Sequence, residues 1–458
     1  MPRPVRPARG QAFALPVFAV LLWLPVCGAG QDAPGVRPLG PSVQPVAPAP
    51  TPPVAAVPLQ AAITPELAAA IARNNGLDVA LARVTVWRTR AALLEIDGLE
   101  DIRASASVSY SVSGSFGDEP SGDSRSGSVS LNRSLFRTPR IIATGDVAQA
   151  DVARALTDEP VTVRELELAA RLAVYDILRQ EQLVRAASEQ TRMREAHLDL
   201  TRMLRQAETV ADFDVVQAET ATSAAIGDEV AARSTLEQLL AALKRLLTLA
   251  QDTVLAVDPG TPPTVPGGTA QERLELACQL RPEIARALAS IGQSEASVRL
   301  AATTSDWTTG LSGSLSQSPL LDGSAKLRWR VGASGSKALL DGDAQVTAEA
   351  QAAARLQATE LELEALRHDI ALELAQADLA LQDAWERLNV AEAGIREARE
   401  TLAIAQVRYE VQYGTGIEVL DAQTALTVLE IEAINAQFDI YSAITRLRYA
   451  LGLDGRPE

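Results

Sequence analysis

This chain is poor in the residue types that build most enzymes. Aromatics are 4% of its 458 residues, and it holds only two histidines and two cysteines. So little aromatic content argues against an ordinary globular core and for helices packed through small side chains. His197 and His368 are far apart and carry no metal-ligand spacing, so neither a metal site nor a histidine-based triad is expected. No glycine-rich phosphate loop and no serine nucleophile motif occurs. The expectation is a protein without catalytic residues, cofactor or metal. Cys278 is the one cysteine certain to remain after processing, so no intrachain disulfide framework is expected. The net charge is −16, which disfavours binding along a nucleic-acid backbone. After the N-terminus, no run is long and apolar enough for a transmembrane helix.

What is present begins with an export signal over residues 1–30. Arg3, Arg6 and Arg9 precede an apolar run from Ala12 to Val26. Cys27 has two readings: a lipidation site, with Leu24 three residues before it, or a residue lost with the signal. Residues 31–62 are rich in Pro, Ala and Val and read as a disordered leader.

The rest of the chain is built twice. Leu135-Phe136 and Leu339-Leu340 each precede a long Ala-rich helical stretch, and the two stretches end at Ala218 and Ala422. Both landmarks repeat at the same offset, which divides the chain into a first repeat (63–258), a linker (259–269), a second repeat (270–453) and a short tail (454–458). Each repeat is expected to open with a helix (Thr64 to Gly98; Ala270 to Thr303). A strand pair follows (Arg103 to Phe116 with Arg125 to Phe136; Thr308 to Ser318 with Ser324 to Ser336). A long helical hairpin closes it (Pro139 to Ala207 with Asp212 to Leu249; Leu340 to Val411 with Ile417 to Leu451). Pro160 is expected to kink or restart its helix. Acidic Gly117 to Asp123 is expected to turn the first strand pair, and Pro319 with Asp322-Gly323 the second.

The strands alternate strictly. Ser105, Ser107, Ser109, Ser111 and Ser113 interleave with Ala106, Val108, Tyr110 and Val112. Each strand has about the length of a tilted barrel strand, yet four cannot close a barrel, and an open edge in lipid is prohibitive. The long helix of the second repeat has a coiled-coil rhythm through Leu363, Leu366, Ile370, Ala377, Ala384, Ala391, Ala398, Leu402 and Ala405. It is on the order of 100 Å long, and its partner covers about half of it. Sharing one barrel among several copies meets both needs.

Several motifs resemble the TolC-like outer-membrane efflux family, the outer membrane factors. Arg408-Tyr409-Glu410 followed by Gly414-Thr415-Gly416-Ile417-Glu418-Val419-Leu420-Asp421-Ala422-Gln423 is similar to its RY…G…(D/E)VLDAQ pattern. Arg281-Pro282-Glu283-Ile284 resembles its RPEL segment, Asn74-Asn75 the first-repeat counterpart, and Leu339-Leu340-Asp341-Gly342 its strand-to-helix junction. The tail of the second repeat, Ala443 to Gly452, resembles the family's last helix. The resemblance implies a mixed membrane protein in which four β-strands per chain complete a trimeric twelve-stranded β-barrel. Long antiparallel helices would form a periplasmic α-barrel beneath it. It implies a homotrimer in outer-membrane lipid that joins a periplasmic adaptor protein and an inner-membrane transporter, as the exit duct of tripartite efflux. A type I protein-secretion duct is the alternative in the same class. A periplasmic coiled-coil scaffold or adaptor is the alternative in another, and it leaves the strands unexplained.

The candidate functional residues follow from this. Glu418 and Asp421 share one helical face, and Asp214 holds the place of Glu418 in the first repeat. All three are candidates for carboxylate rings at the pore constriction, set against the plainer role of acids at a helix start. Asp214 with Tyr409 is a candidate gate latch, set against a helix cap and a half-buried tyrosine. No basic residue lies between Tyr409 and Ala422 to offer a salt bridge. Gly414, Thr415 and Gly416 are expected to form the periplasmic tip turn, whereas the first tip, Glu208 to Asp214, has no glycine. Lys326, Arg328 and Arg330 alternate with Leu327, Trp329 and Val331 and are expected to face a lumen, where solubility alone would account for them. Arg133 falls on the apolar side of its strand.

Overall fold

The computed structural model describes residues 62–97, 103–113, 122–133, 138–319, 325–338 and 342–453. The signal segment with Cys27, the leader up to residue 61, the tail 454–458, and the junctions at Leu135-Phe136 and Leu339-Leu340-Asp341 lie outside the described residues.

Each repeat opens with two helices rather than the single one expected. In the first, α1 (Pro65–Asn75) and α2 (Leu77–Asp97) meet at Gly76, whose backbone is extended with ψ 128. Thr64 caps α1, its hydroxyl accepting from the Leu67 N–H at 3.2 Å. The long helix α3 (Pro139–Gln206) crosses so close that a Cβ on Gly76 would sit 2.2 Å from Leu166 Cδ2. In the second repeat, α5 (Ala270–Leu280) and α6 (Pro282–Ala301) meet at Arg281, with ψ 124. Here Pro282 imposes the break, because its ring disfavours helical backbone in the residue before it. Pro160 does not restart α3, which is unbroken. Arg83 of α2 pairs with Glu159 beside it at 2.9 Å, and the helical turns on either side outlast one lost donor.

The two hairpins are α3 with α4 (Asp212–Leu246) and α7 (Ala344–Glu410) with α8 (Gly416–Leu451). The duplication persists in individual backbone hydrogen bonds. The Thr209 N–H donates to Leu204 and the Tyr413 N–H to Arg408; Leu249 donates to Lys244 and Leu453 to Arg448. At both tips a non-glycine residue takes left-handed backbone at the same relative position, Glu208 with φ 57 and Gln412 with φ 63. Gly414 and Thr415 lie in the second turn and Gly416 opens α8, but neither glycine takes the left-handed backbone. At the far ends Thr248 (φ 57) and Gly452 (φ 76) are paired in the same way.

Strands β1 (Arg103–Ser113), β2 (Gly122–Arg133), β3 (Thr308–Pro319) and β4 (Ala325–Ser336) form one antiparallel sheet in the order β1-β2-β3-β4. Gly122 and Asp123 belong to β2 rather than to the turn. Pro319 ends β3 opposite Ala325, beyond the last residue that β2 pairs, so its missing N–H costs no central ladder bond.

The helices lie in the order α4-α3-α8-α7, with the short helices of each repeat packed on α3 and α7. Apolar cores form where α1, α3 and the end of α4 meet, where α5, α7 and α8 meet, and at the tips. The expected seam of α7 is buried at Leu363, Ile370, Ala377, Ala384 and Ala391, with α8 packed along its C-terminal part and α6 along its N-terminal part. A second apolar stripe on the opposite side of α7, through Leu361, Leu372, Leu379, Val390 and Ile404, is exposed. At the other end of the layer, α4 exposes Val216, Ile226 and Val230. Among the described residues no helix is long and apolar enough to cross a membrane.

Candidate functional site

The tip is where both hairpins turn. Thr415 stands at the N-cap of α8 in extended backbone, and its hydroxyl reaches Glu418 at 3.4 Å rather than capping a backbone N–H. Glu418 also pairs with Arg408 at 3.5 Å, a residue just outside the acid-bearing segment. Gly416 is buried against the rings of Tyr409 and His197, where a Cβ would lie 3.6 Å from the tyrosine. Asp421 is exposed, one turn further along α8, in a row with exposed Ile417 and Val428. Glu418 and Asp421 therefore share a helical side but not an environment: one carboxylate is balanced locally and the other is open.

Asp214 accepts a hydrogen bond from the Ala211 N–H at 3.2 Å and so caps its own helix. The neighbouring Asp212 pairs with Arg205 across the first turn, which holds its carboxyl below the usual range. The expected pairing of Asp214 with Tyr409 does not form within the chain. Tyr409 is 4% exposed, and its hydroxyl meets Thr201 of α3 at 3.2 Å. Its ring lies 5.2 Å from that of His197, also from α3, tilted at 45°.

Sequence reasoning missed this seam. Arg194 is buried and donates to the Leu420 carbonyl at 3.3 Å and to Thr424 at 2.7 Å, so it ties α3 to α8. Burial lowers its pKa, and the Asp421 carboxylate partly offsets that. Burial and then Arg194 push the His197 imidazole below its ordinary value, so it is neutral at pH 7. The available signal was the spacing of Arg194, His197 and Thr201, polar residues at steps of three and four on a face that must be covered.

The second surface is the sheet. Because residues directly opposite in a ladder share a face, the register sorts the sheet into alternating rows. Two rows are polar: Ser107, Ser128, Ser316 and Arg328; and Ser105, Ser130, Ser314 and Arg330. Ser105 and Ser130 hydroxyls are 2.7 Å apart and Ser107 and Ser128 are 2.8 Å apart. The rows between them are apolar: Ala106, Val129, Leu315 and Trp329; and Ala104, Leu131, Gly313 and Val331. Trp329 is 78% exposed and Val331 66%, so nothing in one chain covers this face. Arg328 and Arg330 lie on the polar face, as expected. The register puts Lys326 there too, opposite Ser318, and Arg133 on the apolar face, opposite Leu311. Both of those side chains lie outside the described residues.

A third feature joins the repeats. Glu283 of the Arg281-Pro282-Glu283 segment accepts from Arg164 Nη1 at 2.8 Å and from Arg281 Nε at 3.3 Å. The Tyr449 hydroxyl is 3.5 Å away, and the Arg164 guanidinium lies 4.5 Å over its ring. Burial would push the Glu283 carboxyl up; the two guanidiniums outweigh it and leave it below the usual range. Burial and Glu283 push the Tyr449 hydroxyl up to about 12.

Residues 274–453 match the model of the outer membrane efflux protein family. The match spans α6, β3, β4, α7 and α8, with most of α5. No curated protein matches the chain. Its fold is similar to that of the Campylobacter jejuni CmeC outer membrane channel, at 16% identity and a TM-score of 0.68, over 86% of this chain and 88% of that one. It is similar to the outer membrane protein VceC from Vibrio cholerae at 17% identity and a TM-score of 0.66, over 84% and 95%. It is also similar to the open state of the Neisseria gonorrhoeae MtrE outer membrane channel, at 19% identity and a TM-score of 0.65, over 85% and 88%. These likenesses are of fold, and they cover the first repeat as well as the second.

Proposed function

We propose that the chain is one protomer of a homotrimeric exit duct in the outer membrane. It would receive small molecules or ions from an inner-membrane pump through a periplasmic adaptor. The observation that carries the proposal is the matched openness of its two layers. The sheet ends in unpaired edges at β1 and β4, and its apolar rows are bare. The helical layer ends in α4 and α7, each with an uncovered apolar stripe. A head-to-tail ring of copies pairs β4 with the next β1 and α7 with the next α4, and rotation closes both layers at once. Three copies supply twelve strands, the number that the family resemblance implies. The apolar rows then meet lipid and the polar rows water. A periplasmic scaffold would leave Leu315, Trp329 and Val331 without a partner.

At the narrow end, Asp421 is the principal pore acid of this proposal, since Glu418 already has Arg408 and Asp214 caps its own helix. Tyr409 closes the seam between the hairpins of one chain instead of latching neighbouring coils.

The test is electrophoresis of outer-membrane fractions with and without heating, combined with planar-bilayer recording of the purified protein. A compact species of trimeric mass that converts to monomer on heating, and that conducts, is expected. A soluble, non-conducting species would refute the proposal.

A further inference from the structure

The two polar rows of the sheet each run through three serines and end in an arginine. Solubility does not account for the arginines. On β1, β2 and β3 the same rows are filled by serine alone, which hydrates a polar face without charge. On β4, Arg328 and Arg330 are two residues apart on one face, about 7 Å between their Cα atoms. That is within a Debye length at physiological ionic strength, so the two guanidiniums repel each other and act as one positive patch. Both are exposed, and no carboxylate is bonded to either among the described residues. Each guanidinium offers a planar fork of donors suited to phosphate or carboxylate oxygens, and it stays charged at every accessible pH. The neighbouring Ser314 and Ser316 hydroxyls can donate to the same oxygens.

We propose that the rows Ser107–Ser128–Ser316–Arg328 and Ser105–Ser130–Ser314–Arg330 form an anion-binding belt for phosphate- or carboxylate-bearing solutes. The proposal rests on the reading of the polar face as the lumen of a duct. Threefold repetition places six arginines around that lumen. A bound anion relieves the repulsion within each pair and gains charge-assisted hydrogen bonds from both guanidiniums. The belt is opposite in sign to the Asp421 tip. The duct would thus carry a cation-attracting end in the periplasm and an anion-attracting end in the membrane.

The experiment records the purified full-length trimer in planar bilayers, with sodium tripolyphosphate added to one side and then to the other. Block is expected from the barrel side, and as the polyanion occupies the belt the reversal potential in a KCl gradient should move further toward cation preference. In the Arg328→Gln/Arg330→Gln variant the half-blocking concentration should rise about tenfold or more, because the charge-assisted bonds are lost. The Arg328→Lys/Arg330→Lys variant should retain most of the tripolyphosphate block, which separates lost charge from faulty assembly. If the glutamine variant runs as the same heat-modifiable trimer and keeps wild-type block and reversal potential, the proposal is overturned. If the wild-type trimer conducts but tripolyphosphate has no effect from either side, it is equally overturned. Absence of any wild-type conductance would overturn the duct reading and the belt with it.

Discussion

Replacing Glu283 should loosen the joint between the repeats. Its side chain is 7% exposed, against 10% for Arg164. For Arg281 the figure is 5%. Removing one partner of a buried ion pair costs roughly 3–5 kcal/mol, because the remaining charge is left without compensation. Here two guanidiniums lose their shared acceptor, but neither is stranded. Arg164 keeps the Tyr449 carbonyl, and Arg281 keeps Glu373 and the Ala450 carbonyl. The lower half of the range applies, so Glu283→Ala should cost about 3 kcal/mol per chain and Glu283→Gln, which keeps one acceptor oxygen, somewhat less. Guanidinium unfolding of the detergent-solubilised protein, followed by its helical signal at fixed protein concentration, measures this directly. The pH dependence gives an independent check. Because the folded carboxyl titrates below its unfolded value of about 4.3, its contribution is complete above that pH and disappears as pH falls through the folded pKa. The wild type should therefore lose more stability on acidification than Glu283→Gln does. A Glu283→Ala protein within about 1 kcal/mol of wild type, with an unchanged acid profile, would show that the cluster does not hold the repeats together.

Charge on the two faces of the sheet should act oppositely. Leu315→Arg should impair membrane assembly, at about 2–4 kcal/mol per chain near the midplane, whereas Ser314→Arg should assemble normally; equal trimer yields would refute the face assignment. Below about pH 6.5 the tip seam should weaken, since His197 has a depressed folded pKa and the unfolded chain takes up its proton first. His197→Gln should flatten the drop in unfolding midpoint between pH 7.5 and 5.5, and an unchanged drop would exonerate this histidine. At the pore end, Asp421→Asn should reduce cation preference and block by trivalent cations more than Glu418→Gln does, because Arg408 already balances Glu418; the reverse order would put Glu418 at the constriction.

The features legible in the sequence were those carried by local periodicity. The alternation of serine with apolar residues in β1 and the three-and-four steps of α7 survive unchanged in the structure, because each follows from which side of one element is covered. The breaks at Gly76 and Arg281 were less legible. One depends on how closely α3 approaches and the other on a proline whose effect falls on its neighbour. The tip turns lie in the expected stretches, but composition did not show that Glu208 and Gln412 take left-handed backbone that glycine would adopt at no steric cost. The buried charges were the least legible. Arg164 meets Glu283 across 119 residues, and Arg194 meets Leu420 and Thr424 across 226 and 230, and no local pattern marks such partners.

The exposed stripe of α7 bears on the life of the newly made chain. Leu361, Leu372, Leu379, Val390 and Ile404 line one side of a helix on the order of 100 Å long. A solitary protomer presents all of that surface to water together with the bare rows of its sheet. In the proposed ring, folding and association would be one event, and apparent stability would rise with concentration, as for any chain without a self-sufficient monomer. On that proposal, a chain that has not met its copies would expose the surface that holding chaperones and proteases act on. Substitutions that fill this stripe with charge should act first on how much protein accumulates, before any change in what the assembled ring conducts.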